Sequence, residues 1–528
     1  MARRFTLSRR TLLATAGLGL VAAPRFALGQ AAPAIVTSDK ARPVVTGITA
    51  GDVSADRALI WARADRPARM MVEWSTSDSF ANARKAIAPH VLPEGDFIGR
   101  VDLADLPAGQ TVFTRISFLD LGDLKAVSAP AMGRFRTPSA GRSIRFQWSG
   151  DSVGQGWGIN PDIGGMTIYD MMRRADPDFF LHSGDTIYAD GPLAAEVKLP
   201  DGRIWKNIVT PEKSKVAETL AEFRGAYRYS FADEHFRRYM AEVPQIWQWD
   251  DHEVTNNWSG SKDLSGDDRY KEKNVPLLVA RATRAFLDYA PLRISGDEAE
   301  RVYRRISYGP LLDVFVVDMR SYRGPNSANR QATLDADSAF LGPEQIRWLK
   351  QGLLQSRATW KVVAADMPIA LHVPDGKTAD GSPRWEASAN GDDGAPSGRE
   401  LEIANLLSAI RHNGVKNVVW LTADVHYTAA HYFDPARAKF TDFDPFWEFV
   451  SGPLNAGTFG PNPLDATFGP QLKFVKAPAE GQVNLSPLSG MQFYGEVVID
   501  GRTAEMKVAL KDMTGATLFE QALAPAAG

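Results

Sequence analysis

An α/β layered domain preceded by an all-β sandwich is the fold class that the sequence predicts, and three observations carry it. Between Gly47 and Thr137, short alternating segments are separated by Gly, Pro and Asp clusters, the rhythm of a β-sandwich of the fibronectin-III or immunoglobulin kind. From Ser143 onward, strand-length apolar runs alternate with helical patterns, as in α/β units. The 528 residues exceed one ordinary domain, and 44% hydrophobic with 23% charged residues is globular composition that can bury a large core.

Residues 1–31 read as a targeting segment and are set aside from the fold. Ser8-Arg9-Arg10-Thr11-Leu12-Leu13 precedes a Gly- and Ala-rich apolar run through Ala23, and Ala27-Leu28-Gly29 offers a small-residue cleavage pattern. The run is too short to span a bilayer in the mature protein. Paired arginines before such a run resemble a twin-arginine signal, so the twin-arginine translocation machinery is an expected partner. An ordinary secretion signal is the rival reading, and both place the mature chain in the periplasm or outside the cell.

The all-β domain is expected over residues 43–138, with strands near 58–63, 70–74 and 112–118. It holds no catalytic constellation, so its expected role is structural or substrate-guiding. The second domain is expected over residues 143–528. Its first strand, 144–148, ends in Ser149-Gly150-Asp151-Ser152 and a glycine-rich loop. A helix over 166–174 is stopped by Pro177, and the buried strand that follows ends at Gly184-Asp185. Strands over 311–317, 360–365 and 417–421 run out at Asp318, Asp366 and Asp424. Pro343 opens a helix that places Ile346, Leu349, Leu353 and Leu354 on one face. A second amphipathic helix is expected over 401–411. The aromatic insertion from Gly191 to Met240 reads as helices over the site or as cover for the domain. Residues 375–398 read as a mobile surface loop. The tail alternates over 493–499 and 505–510, which predicts closing strands.

The composition removes several chemistries. The chain has no cysteine, so disulfides, thiolate metal sites and cysteine nucleophiles are excluded. A net charge of −3 with dispersed Lys and Arg gives no nucleic-acid footprint. What remains are His, Asp, Glu, Asn and Tyr, and four stretches gather them: Gly150-Asp151, Gly184-Asp185 with Tyr188 and Asp190, Trp249-Asp250-Asp251-His252-Glu253, and Ala423-Asp424-Val425-His426. Hard cations take carboxylate oxygens, and a neutral imidazole completes a shell. Two such ions can hold a phosphate ester and activate a water or hydroxide for in-line attack, with an imidazolium protonating the leaving oxygen. Of the eight histidines, His182, His372 and His431 read as structural, and Trp157 and Trp258 as packing.

The order Asp, Gly-Asp-x-x-Tyr, a His-Glu block and x-x-His resembles the calcineurin-like metallophosphoesterases. The Tyr three residues after the bridging Asp resembles purple acid phosphatases. The fuller set resembles the PhoD family of exported alkaline phosphatases and phosphodiesterases: Gly184-Asp185-Thr186-Ile187-Tyr188, Asp250-Asp251-His252-Glu253-Val254-x-Asn256-Asn257, Asp318-Met319-Arg320 and Ala423-Asp424-Val425-His426. The resemblance implies a four-layer α/β/β/α catalytic domain. It implies ferric ion held by Asp151, Asp185, Tyr188 and His426, with Asp185 bridging to a calcium held by Asp251, Asn256 and Asp424; zinc or manganese are the alternative ions. His252 would be the acid facing the phosphate and Arg320 a bidentate phosphate clamp. Two departures stand out. Many members carry a Cys iron ligand in the first motif, where this chain has Ser149-Gly150-Asp151-Ser152. Asp-Asp-His-Glu also replaces the usual Asn-His-Glu, which leaves Asp251 and Asn256 as competing ligands. The expected function is hydrolysis of small or polymeric phosphate mono- or diesters. A phospholipase D-like phosphodiesterase is the alternative within hydrolases, and a non-catalytic cell-surface binding protein the alternative outside them.

Overall fold

The computed structural model describes residues 41–526. The expected targeting segment, residues 1–31, lies outside them. The amino-terminal region supplies β1 (Val45–Gly51), β2 (Ala58–Ala64), β3 (Ala68–Ser75), β4 (Arg84–Val91), β5 (Ile98–Leu103), β6 (Thr111–Asp120) and β7 (Ala131–Arg136). Next come β8 (Ile144–Ser149), α1 (Ile168–Arg174), β9 (Phe179–Ser183), the hairpin β10 (Glu196–Lys198) and β11 (Ile204–Lys206), α2 (Leu220–Ser230), α3 (Glu234–Glu242), β12 (Gln245–Gln248) and α4 (Val275–Tyr289). The chain continues through β13 (Arg304–Ser307), β14 (Leu312–Val316), α5 (Pro343–Gln355), β15 (Trp360–Ala364), the hairpin β16 (Pro374–Lys377) and β17 (Pro383–Trp385), and α6 (Glu400–His412). It closes with β18 (Val418–Thr422), β19 (Thr428–Phe433), β20 (Phe446–Val450), β21 (Pro470–Lys476), β22 (Phe493–Ile499), β23 (Met506–Asp512) and β24 (Thr517–Leu523).

Three large sheets organise these strands. One has the order β24-β23-β22-β8-β9-β12-β1-β2-β5, a second β13-β14-β15-β18-β20-β19-β21, and a third β4-β3-β6-β7. Strands such as β15, apolar but for one lysine and with no residue left at the surface, predict burial on both faces, and that is where the structure puts them. One apolar cluster lies between the first two sheets and joins Phe146, Leu181 and Ile246 to Val314, Val362 and Leu421. A second holds Phe180, Trp247 and Trp249 against helices α1 to α4, and a third holds Phe315, Val363 and Trp420 against α5 and α6. The closing strands β22–β24 pair antiparallel beside β8, as the alternating tail predicts.

Local signals explain the helix boundaries. Thr219 and Glu222 form a reciprocal capping box at α2, and the Asp233 carboxylate caps α3. Pro343 stands at the start of α5, and Ile346, Leu349 and Leu353 are buried. Leu354 is 55% exposed, because its position lies one step round the helix from that stripe.

Three expectations need correction. The amino-terminal strands do not all keep to a sheet of their own: β3, β4, β6 and β7 do, while β1 lies parallel to β12, with Gly51 opposite Gln245, and carries β2 and β5 onto the first sheet. The seam is reinforced by the Arg304 guanidinium, which donates to both oxygens of buried Asp52 at 2.8 and 2.9 Å, and by the Trp61 indole donating to the Asp288 carbonyl at 2.8 Å. The aromatic insertion does not roof the site; its Phe223, Tyr227, Phe236 and Tyr239 belong to the helical layer behind the first sheet. Residues 375–398 are not an open loop either. They carry the β16–β17 hairpin, which Asn257 and Asn326 anchor by donating to the Asp375 carboxylate at 3.2 and 2.9 Å.

Candidate metal centre

Parallel strands deliver their following loops to one edge. Here β8, β9 and β12 of the first sheet end just before Asp151, Asp185 and Asp250-Asp251. In the second sheet, β14, β15 and β18 end just before Asp318, Asp366 and Asp424. The Asp-terminated strands visible in the sequence are therefore two sets of carboxylates facing each other. The backbone turns sharply there: Asp151, Asp185, Asp424 and His426 have φ of 65°, 52°, 67° and 61°. Left-handed backbone costs a non-glycine residue on the order of 1–3 kcal/mol, and such strain collects at functional sites. Gly184 needs both its φ of 97° and its missing side chain, because a Cβ would lie 2.4 Å from that of Asp250.

The geometry assembles overlapping donor sets. Oxygen and nitrogen atoms of Asp151, Asp185 and His426 lie within 4.8 Å of one another, as do those of Asp185, Asp251 and His252, and of Asp250, Asp251 and Asp424. The Tyr188 hydroxyl is 2.8 Å from His426 Nε2, which puts the phenol in the first set. His426 Nδ1 is engaged by the Gly457 carbonyl, so that nitrogen carries the proton and Nε2 keeps its lone pair for a ligand. Burial holds the His426 pKa down to about 4, so the ring is neutral at ordinary pH. Gly154 lets the chain pass the Tyr188 ring, where a Cβ would stand 2.5 Å from it.

The residues fit bound cations. Neither oxygen of buried Asp151 has a hydrogen-bond partner, and Asp251 Oδ1 and Asp250 Oδ2 also lack one. Burial, followed by the repulsion of neighbouring carboxylates, pushes Asp151 and Asp185 well above the usual carboxylate range. Asp424 is pushed up in the same way. Burial and then the charges of Asp185 and Asp151 drive the Tyr188 phenol up as well. Such a set wants positive charge, and its oxygen-rich chemistry suits hard ions.

Around this floor opens a cleft of about 720 Å³. Asp185, Tyr188, Asp251, His252, Asn256, Asp424 and His426 line it, together with Gln155, Lys262 and Arg269, and Val373 and Phe459. Asp151 lies beneath, fully buried. Asn256 reaches the cleft as an exposed residue whose backbone N–H donates to Asp190 at 2.8 Å. His252 Nδ1 stands 2.7 Å from Asp190 Oδ1. Burial alone would lower His252, but Asp190 and then Asp251 overcome it and raise its pKa to about 10.

Arg320, expected as a phosphate clamp, lies beneath the residues that line the cleft. It is completely buried behind the carboxylates, paired with Asp250 and Glu386 and 3.3 Å from Asp366. Asp424 and Asp251 lie 3.8 and 4.0 Å from it. The guanidinium thus offsets the negative charge of the floor and is not among the residues lining the cleft.

Sequence reasoning left several residues without a role. Asp190 was visible as a second carboxylate on the Tyr188 loop, but its partner His252 is distant in sequence. Glu253 is a hub: it accepts from the N–H of Asp185 at 3.1 Å, of Thr186 at 2.7 Å and of Asp250 at 2.9 Å, and from the Thr186 hydroxyl at 2.6 Å. Gln155, with a φ of 52° and a buried side-chain amide oxygen without a partner, faces the cleft and carried no signal beyond its glycine-rich loop. His182, His372 and His431 all sit outside the cleft lining, and His431 pairs with buried Glu448 at 2.8 Å.

Comparison with known proteins adds a second line of observation. A family model described as PhoD-like phosphatase matches residues 146–510, and one described as PhoD-like phosphatase, N-terminal domain, matches residues 29–139. The chain is 31% identical over 270 residues to alkaline phosphatase D of Bacillus subtilis (strain 168), a match covering 49% of this chain and 43% of that protein. This chain therefore aligns with less than half the length of that relative. Among solved structures it is similar to a PhoD structure, with a TM-score of 0.65 at 20% identity over 91% of this chain and 88% of that one. It is also similar to the purple acid phosphatase PPD1 from yellow lupin, with a TM-score of 0.53 at 12% identity over 92% and 74% of the two chains. These two likenesses bear on the fold.

Proposed function

This chain belongs to the PhoD-like phosphatase family, and from that premise we propose that it is a metal-dependent hydrolase of phosphate mono- or diesters. The observation that carries the reading is the meeting of Asp151, Asp185, Tyr188 and His426 with Asp251 and Asp424 on the floor of one cleft, with His252 at its side. Asp151, Asp185, Tyr188 and His426 would hold a ferric ion, and Asp251, Asn256 and Asp424 a calcium, with Asp185 reaching both; zinc and manganese are the alternative ions. Bound ions supply Lewis acidity that offsets phosphate charge and lowers the proton affinity of water.

The chain's own side chains do the rest. Asp190 fixes the His252 ring by its Nδ1 and keeps it protonated, so Nε2 can give a proton to the leaving oxygen. Glu253 joins the Asp185 and Asp250 loops, so both carboxylate sets move as one body. Arg320 positions Asp250 from behind and opposes the mutual repulsion of the floor carboxylates. Lys262 gives the wall of the cleft positive charge for the ester's remaining oxygens, while Arg269 beside it is paired with Asp267 at 2.7 Å. The arginine pair and apolar run of residues 1–31 support export to the periplasm or beyond by the twin-arginine route. Replacing Arg9 and Arg10 by lysine tests that assignment, since it should trap the precursor in the cytoplasm.

Purified protein assayed on p-nitrophenyl phosphate and bis-p-nitrophenyl phosphate, alongside Asp185→Asn, tests the function. Turnover lost in the variant supports it. Equal rates in both proteins, or none in the metal-loaded wild type with either ester, would refute it. The ratio of the two rates assigns mono- or diester preference.

A further inference from the structure

Lys213 is 3% exposed, at the end of the short turn Pro211–Lys213. Its ammonium donates to the Tyr188 carbonyl at 2.7 Å and to the Gly191 carbonyl at 3.1 Å. Among the described residues no carboxylate forms an ion pair with it; burial holds its pKa down to about 8, and Asp190 is the charge that opposes this. A buried ammonium answered only by carbonyls is a costly choice, and a methionine would fill the space without that desolvation. Packing therefore does not explain the lysine.

Its two acceptors do. The loop from Tyr188 to Gly191 sends the Tyr188 hydroxyl to within 2.8 Å of His426 and the Asp190 carboxylate to 2.7 Å from His252. The remaining backbone of that loop is held as well. Ala189 N–H donates to the His252 carbonyl at 2.8 Å, Ala217 N–H to the Ala189 carbonyl at 2.8 Å, and Arg269 to the Asp190 carbonyl at 3.2 Å. Leu193 N–H returns to the Lys213 carbonyl at 2.7 Å, so the clamp is reciprocal.

We propose that Lys213 is a positioning residue of the hydrolytic site: its ammonium pins the carbonyls of Tyr188 and Gly191 and so sets the loop from which Tyr188 meets the metal centre and Asp190 holds His252. The proposal rests on the phosphoesterase reading above. It implies that Lys213 contributes to turnover through geometry while contributing nothing to fold stability.

The experiment uses the full chain, purified with its metals, as wild type, Lys213→Met and Lys213→Gln. It measures kcat and KM on p-nitrophenyl phosphate, the thermal midpoint, and amide hydrogen exchange across residues 187–193. For Lys213→Met the expected result is a fall in kcat of about 100-fold with little change in KM, since small misplacements of reacting groups cost that much. The midpoint should equal or exceed wild type, and exchange should speed up across 187–193 but not across β9. Lys213→Gln keeps a neutral donor and should recover part of kcat. Wild-type kcat in Lys213→Met overturns the proposal. So does activity lost only in step with a lowered midpoint and faster exchange throughout the chain. If the methionine variant fails to fold, the glutamine variant is judged on the same measurements. If the wild type hydrolyses no phosphate ester, the underlying reading fails, while the midpoint and the local exchange still decide whether Lys213 clamps the loop.

Discussion

Replacing Arg320 by methionine separates two roles that the sequence cannot distinguish. The guanidinium is fully buried, with Asp250 and Glu386 bonded to it and Asp366, Asp424 and Asp251 at 3.3, 3.8 and 4.0 Å. At an effective dielectric of about 20, one unit-charge pair at 4 Å is worth about 4 kcal/mol before desolvation. Removing the cation leaves five buried or nearly buried carboxyls, with Arg323 near Glu386 and His252 near Asp251 as the remaining positive groups at 4.0 Å. Breaking a buried pair typically costs about 3–5 kcal/mol, the value expected here. The loss should shrink when calcium is added, because the freed carboxylates then have a cation to hold. The assay is urea unfolding followed by tryptophan fluorescence, with calcium or with a chelator, for Arg320→Met beside Arg320→Lys. An Arg320→Met protein as stable as wild type, but with a raised KM and weakened inhibition by inorganic phosphate, would refute the argument. That pattern would restore the clamp expected from sequence.

Four further outcomes follow from the site. Tyr188→Phe should remove any visible absorption band and lower the iron content found by elemental analysis; a band that survives would take the phenol out of the ligand set. In Asp190→Asn, burial should win over the remaining charges and lower His252 from about 10, shifting the alkaline limb of kcat/KM to lower pH by at least about one unit. A pH–rate profile on an alkyl phosphate, whose leaving oxygen needs a proton, measures this, and an unmoved limb would remove His252 as the acid. The same raised pKa means that the His252–Asp190 pair stabilises the fold fully between about pH 4 and about pH 6.5; that contribution is lost as pH rises through about 10, and also at acid pH as Asp190, held below the usual carboxylate range by His252 against its burial, takes up a proton. Glu253→Gln puts a donor where backbone N–H groups already donate, so about 1–3 kcal/mol of stability and a 10- to 100-fold loss in metal affinity are expected from calorimetry.

The legible part of the molecule was its local chemistry. Apolar runs that stop at Asp151, Asp185 and Asp424 are readable because burial and a following turn are both written in residue type. The helix at Pro343 was readable for the same reason, up to Leu354 on the stripe's edge. Long-range pairing was not readable. Nothing near Gly51 points to Gln245, and nothing in Asp250-Asp251 says that the first carboxylate goes to Arg320 while the second faces the cleft. Arg320 is the instructive case: an arginine after a strand-end Asp suits both an anion clamp and an internal counter-charge, and only its depth decides. Asp190 and Lys213 escaped because their roles lie in partners far along the chain, and the left-handed backbone of His426 leaves no mark in residue type at all.

The shared sheet has a consequence for how the protein can be taken apart. The connection between β7 and β8 looks like the natural place to divide the molecule, and a protease cutting near residue 141 would sever the chain there. The two fragments would still be held by the β1–β12 contact and the Arg304–Asp52 pair, so the nicked protein should migrate as one particle until denatured. Expressing residues 143–528 alone is a different experiment. It would remove β1, which meets β12 at Gly51–Gln245, and uncover the apolar surface that the amino-terminal strands bury, leaving it open to association with other copies. Cleavage after folding and truncation before it, at the same peptide bond, should therefore give opposite results: an intact enzyme in one case and an aggregate in the other.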